Sequence, residues 1–280
     1  MAWAATIGGM LAPVVLVYLA QAAGWRSAFL LAGVPGVLLA LAIFLALREP
    51  SQPISETASS NAEGYRSTGC SSTGIPRRAA RRNIAICIVM SCCLVTWMML
   101  GWTFIPLYLV RVQQFSAAKM GWVMAALGAA GALIGALAGP AISDRIGRKP
   151  TIILLCMLGA LSPIAALVGS APYPVVLVLA FIGWAASGAM VLVMATVPAE
   201  SVVVHRISTT IAIIQAVGEL VGGVMAPVVA GKAADLYGLA TPLYVEAVCA
   251  VGAAILALGL SETAPQVRRR MSDALAKAVA

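Results

Sequence analysis

Glu219 stands near the middle of an apolar stretch at 209–231. A fixed charge at such a depth costs roughly 2.5–3.5 kcal/mol, so the side chain is expected to face a bundle interior or a water-filled path. A desolvated glutamate takes up and releases a proton near neutral pH, the chemistry a proton-coupled carrier requires. Gln215 lies one turn earlier on the same helix face. The alternative is a glutamate kept permanently protonated by a hydrogen bond to a neighbouring helix. Glu246, little more than a turn into the last apolar stretch, is expected to reach the outer interface.

A second constellation is Gly139-Pro140-Ala141-Ile142-Ser143-Asp144-Arg145-Ile146-Gly147-Arg148-Lys149-Pro150. It forms a very tight connection between two apolar stretches. Carboxylates are favoured at helix N-termini and cations at C-termini, and Gly147 permits the turn. Taken singly, Arg145, Arg148 and Lys149 also suit an ordinary basic turn. Trp97 and Trp102 are five residues apart, about 140° around a helix, so both cannot point straight inward. They line a cavity or pack in the core.

Other chemistries find little support. The six cysteines have no zinc-type spacing and there is one histidine, His205; five of the cysteines lie in apolar stretches and read as small packing residues. No metal or cofactor is expected. The chain has no phosphate-cradling glycine loop, no His-Glu-x-x-His pair and no Gly-x-Ser-x-Gly, so it does not read as an enzyme.

The elements that must position these residues follow from composition. Of 280 residues 61% are hydrophobic and 10% charged, against about 45–50% and about 25% in a soluble domain, too little polar surface for a water-soluble globule. Apolar stretches at 2–20, 28–47, 84–109, 120–142, 151–169, 174–196, 209–231 and 241–260 are each near the ~20 residues a spanning helix needs. They are continuous and do not alternate, which excludes a lipid-facing β-barrel. The fold class is an all-α integral membrane protein with about eight spans.

Of the 18 Lys and Arg, 14 fall in the alternate connections 48–83, 143–150 and 197–208 and in the tail, against 4 on the other side. The positive-inside rule puts the first set, and both chain ends, in the cytoplasm. The polar stretch 51–82 reads as a linker. Its basic end, Arg77-Arg78-Ala79-Ala80-Arg81-Arg82, suits anionic lipid, and without interleaved aromatics it does not suit nucleic acid.

Residues 8–24 and 222–238 align without a gap at an offset of 214, with 8 of 17 positions identical, including Gly-Gly, Ala-Pro-Val-Val and Gly24/Gly238. Both run in the same direction across the membrane, a parallel repeat. Following that offset, the first helix looks clipped and four helices that ought to precede this chain are absent, to be supplied by an upstream segment or a second chain.

The Asp144-Arg145-Ile146-Gly147-Arg148-Lys149 run resembles the D-R-x-G-R-[KR] loop of the major facilitator superfamily of secondary transporters. Gly24-Trp25-Arg26, Pro198-Ala199-Glu200 and Gly231-Lys232-Ala233-Ala234-Asp235-Leu236-Tyr237-Gly238 extend the resemblance over essentially the whole chain. One departure is Pro140, where the family has glycine, with Gly139 one place earlier. The resemblance implies a bundle of that type: the last two helices of a first bundle (1–50), the linker (51–82), a complete six-helix second bundle (83–263) and a tail (264–280). It implies that the aspartate caps or pairs with a helix end while the arginines form a charge relay stabilising one access state. It also implies alternating access in the plasma (inner) membrane. The closest likeness is to carriers of small organic anions and sugar acids, with Glu219 and Gln215, and Trp97 and Trp102, on the substrate and proton path. Two alternatives stay open: an exporter of lipophilic cations of the same fold, and a truncated non-transporting membrane subunit.

Overall fold

A computed structural model describes residues 15, 18–19, 24–46, 76–168, 172–264 and 267. Among them the elements are all helical. Helix α1 is Trp25–Ala46 and α2 is Arg77–Arg111. Helix α3 runs over 117–146, α4 is Arg148–Leu167, α5 is Tyr173–Ser201, α6 is Ile207–Tyr237 and α7 is Thr241–Ala257. The first apolar stretch, most of the linker and the tail lie outside the described residues.

Local sequence sets the ends. Ser116 caps α3 by accepting from the Lys119 N–H, satisfying one of the N–H groups a helix start leaves over. Pro174 and Pro242 sit in the first turns of α5 and α7, where a missing N–H costs nothing. Gly24 and Gly238, equivalent in the repeat, take φ of 84° and 95°. Gly24 stands directly before α1 and Gly238 between α6 and α7, so the internal likeness extends to backbone conformation.

One boundary differs from the sequence expectation. The basic run at 77–82 is the first turns of α2 and no part of a linker. Arg and Ala are good helix formers, and Pro76 before them is extended (φ −55°, ψ 136°), so the helix begins as soon as the proline is passed. At 35 residues α2 is about 52 Å long, well beyond the ~30 Å of hydrocarbon, and its arginines project past the apolar span.

Helix α2 runs through the middle of a bundle made by α2–α7. One apolar cluster, around Trp97, Leu100, Trp184 and Leu243, fills one half of its length; a second, around Met90, Leu94, Leu155, Leu192 and Ile214, fills the other. Between helices, small residues set the distance, as expected where lipid supplies no hydrophobic drive. At the α3–α5 crossing, a Cβ on Gly139 would come within 3.0 Å of Gly188 Cα. Gly139 therefore makes the close approach that Pro140 does not. Gly218 and Gly222 bring α6 onto Ser91 and Thr96 of α2 in the same way. Three helices carry π-helical turns, at Ala126–Gly131, Leu192–Thr196 and Glu219–Met225.

Candidate functional site

The chemistry gathers at one end of the bundle. A single residue, Gly147, separates α3 from α4, with φ 120° and its N–H donating to Ser143 O at 2.9 Å. The first N–H groups of α4, from Arg148 and Lys149, donate to Glu262 Oε1 at 2.8 Å and Oε2 at 3.2 Å. Thr263 and Ala264 N–H donate to the same Oε1 at 3.1 and 2.9 Å. A carboxylate from beyond α7 thus caps the positive end of α4. A Cβ at position 147 would sit 2.6 Å from Glu262 Oε2, so glycine serves both the turn and the cap.

Arg148 is the hub. Its Nη1 pairs with Asp144 Oδ1 at 2.6 Å and Nη2 with Glu200 Oε1 at 2.8 Å. Nε donates to both Glu200 oxygens at 3.2 and 3.3 Å, and Nη1 also donates to Ser143 Oγ. Thr263 Oγ1 donates to Glu200 Oε2 at 2.6 Å. Three helix ends are therefore joined through the side chain of one arginine that is 8% exposed. A buried cation of this kind holds only when paired and hydrogen-bonded, and the planar fork of arginine suits two carboxylates at once. Asp144, 57% exposed, contributes the weaker of the two pairs.

The start of α2 is tied to the same end. Arg82 Nη2 donates to Ser261 Oγ at 2.6 Å, while Asn83 exchanges two hydrogen bonds with the Ser261 backbone at 3.3 and 3.0 Å. Lys149 Nζ donates to Leu258 O at 2.6 Å, a cation on the negative end of α7.

Of the expected residues, Asp144, Gly147, Arg148 and Lys149 come together here. Arg145 is exposed and has no ion pair among the described residues. Asp144 pairs with Arg148 one turn on, and Glu262 takes the helix-capping post instead, because the turn of one residue leaves Asp144 on α3. Glu262 was not singled out from sequence. Its signal is the Leu-x-Glu shared by 47–49 and 260–262, which ends both apolar groups.

Glu219 and Gln215 lie on α6, both exposed, Glu219 at the start of a π-helical turn. The most apolar window of α6 is 17% buried, so the described residues leave this face of the bundle uncovered. Trp97 does not join them: it is fully buried in the apolar core and its Nε1–H donates to Gly159 O at 2.9 Å. Trp102 is half-buried, and both rings converge on Trp184, with centroids 5.2 and 4.9 Å away. Glu246 also departs from expectation. It is 0% exposed, facing Ser162 and Gly101, because its helix turns that side towards α2 and α4.

Residues 1–162 and 86–278 both match the Major Facilitator Superfamily. No curated protein matches the chain.

Proposed function

The chain belongs to the major facilitator superfamily of secondary transporters, and from that premise we propose that it moves a small solute by proton-coupled alternating access, with Glu219 as the proton carrier and Gln215 beside it. One observation carries this reading: Glu219 is exposed on the helix that the six-helix bundle leaves most open. A mid-span carboxylate is too costly to leave against lipid. The uncovered face of α6 is therefore where the other helix group docks, and the seam between them encloses a polar path, as in carriers built from two repeats. In this reading helix α1 belongs to that group.

The charged end faces the cytoplasm in this reading, since it gathers the connections that hold most of the Lys and Arg. The Arg148 junction makes that end of the bundle one rigid piece, which rocks against the other group as a body. Asp144, the exposed partner of Arg148, is free to exchange that pairing as the state changes. Small organic anions and sugar acids are the first substrates to test, on the likeness of the sequence.

Reconstituted protein with Glu219→Gln is expected to lose uptake driven by a pH gradient while binding of substrate persists. Unchanged pH dependence in this variant rejects the assignment. A panel containing organic anions and lipophilic cations separates an anion carrier from a multidrug exporter.

A further inference from the structure

The interior of the bundle holds a carboxyl group that the transport reading does not use. Glu246, on α7, is 0% exposed. Its Oε1 lies 3.0 Å from Ser162 Oγ of α4, a hydroxyl it shares with Gly159 O at 3.1 Å, and Oε2 has no partner. The indole Nε1 of Trp184, on α5, is also buried without a partner. The two groups adjoin: a Cβ on Gly101 of α2 would lie 3.0 Å from Glu246 Oε1 and 3.0 Å from Trp184 Cζ2. Glycine at 101 thus makes room for a carboxyl and an indole edge facing one another across the missing side chain.

We propose that Glu246 is a proton-binding site inside the six-helix bundle, in which Ser162 holds one carboxyl oxygen and the Trp184 Nε1–H is the donor awaiting the other when the proton leaves. The neutral acid fits the observed geometry better than the carboxylate, since it brings no charge into a site whose one donor to it, the Ser162 hydroxyl, is shared with Gly159 O. An ionised carboxylate without water needs donors on both oxygens. On loss of the proton to water, Nε1–H turns onto the bared Oε2, and the orphan donor and orphan acceptor satisfy each other.

The surroundings suit such an exchange. Cys249 lies one turn on along α7 and meets Cys93 of α2. Ser162 comes from α4 and Trp184 from α5, while α6 shares an apolar core with α7 through Ala230 and Ala234, its Lys232 and Asp235 being exposed. Among the described residues no charged side chain pairs with Glu246. Trp184 is the last residue before the break in α5 at Ala185–Ala186. Beyond that break α5 crosses α3 and carries Glu200 to the Arg148 junction. The site goes beyond proton coupling at Glu219 and does not depend on it.

The test uses the full chain in lipid, in a Glu219→Gln background that removes the other mid-span carboxyl. Infrared difference spectra between acid and alkaline pH are expected to show a protonated carboxyl C=O band, and tryptophan emission is expected to shift with the same midpoint. Glu246→Gln removes the band and the shift; Trp184→Phe removes the shift alone. Ser162→Ala, which deletes one hydrogen bond, moves the band's frequency and keeps the assignment testable should Glu246→Gln not fold. A band that does not change with pH, that survives Glu246→Gln, or that Ser162→Ala leaves unmoved overturns the proposal. None of these readouts needs a substrate, so uptake indifferent to a pH gradient counts against Glu219 alone.

Discussion

Arg148 Nη2 lies 2.8 Å from Glu200 Oε1 and joins the first residue of α4 to the last turn of α5. Removing one partner of a buried pair strands the other, which typically costs about 3–5 kcal/mol. Arg148→Ala is expected to fall in or just below that range, because Glu200 is partly exposed. Arg148→Lys recovers little, since an ammonium cannot reach Asp144 and both Glu200 oxygens together. Thermal unfolding in detergent, arranged as a double-mutant cycle with Glu200→Gln, measures the coupling. Additive losses would show that the two residues act separately.

Glu262 stabilises the start of α4 from the other end of the sequence. Its carboxylate accepts four backbone N–H groups, so Glu262→Ala leaves two donors at the head of α4 and two in the following strand of chain unmet. Loss of a helix cap costs about 0.5–2 kcal/mol, and this one belongs at the upper end. Glu262→Gln keeps the acceptor oxygen but not the charge facing the helix dipole, and an intermediate loss is expected. Hydrogen exchange at Arg148, Lys149 and Thr151 reads the fraying directly; protection unchanged in Glu262→Ala would count against the cap.

The spans among the described residues and the turn at Gly147 were legible because each is written locally: apolar length and a glycine between helices. The Asp144–Arg148 half of the junction was legible for the same reason. Glu200 and Glu262 reach Arg148 from 52 and 114 residues away, with Thr263 bonded behind Glu200, and that convergence depends on which helix ends the topology brings together. Glu246 was misjudged because depth along a helix says nothing of which neighbour it faces. Ser162, Gly101 and Trp184 come from three other helices, and none of them looks unusual in its own stretch of sequence.

The α3–α5 crossing predicts a sharp contrast between glycines. A Cβ on Gly188 would come within 3.2 Å of Gly139 Cα and closer still to the Gly135 backbone, and backbone cannot move aside as a side chain tip does. Gly188→Ala is expected to cost about 1–3 kcal/mol through overpacking. Gly252, in α7, has nothing within 4 Å of the same position. There alanine should be neutral or stabilise by up to about 1 kcal/mol, since helical glycine carries an entropy cost. Equal melting temperatures for the two variants would mean that the helices do not cross as closely as described.

Trp97 offers the last contrast, between a core side chain and a path-lining one. Its Nε1–H is the hydrogen-bond partner of Gly159 O, near the end of the regular part of α4, where the helix tightens before Leu161. Trp97→Phe removes that bond, leaving Gly159 O only the Ser162 hydroxyl at 3.1 Å, and thins the packing of a fully buried site, together a loss of about 1–3 kcal/mol. Trp102→Phe loses no hydrogen bond seen among the described residues, and only the edge-on contact with Trp184 changes, worth about 0.5–1.5 kcal/mol. Stability should therefore fall more for Trp97→Phe. Transport, once a substrate is in hand, should respond to position 97 only through the amount of folded protein. A Trp97→Phe protein of normal stability and altered substrate affinity would place this side chain on the path after all.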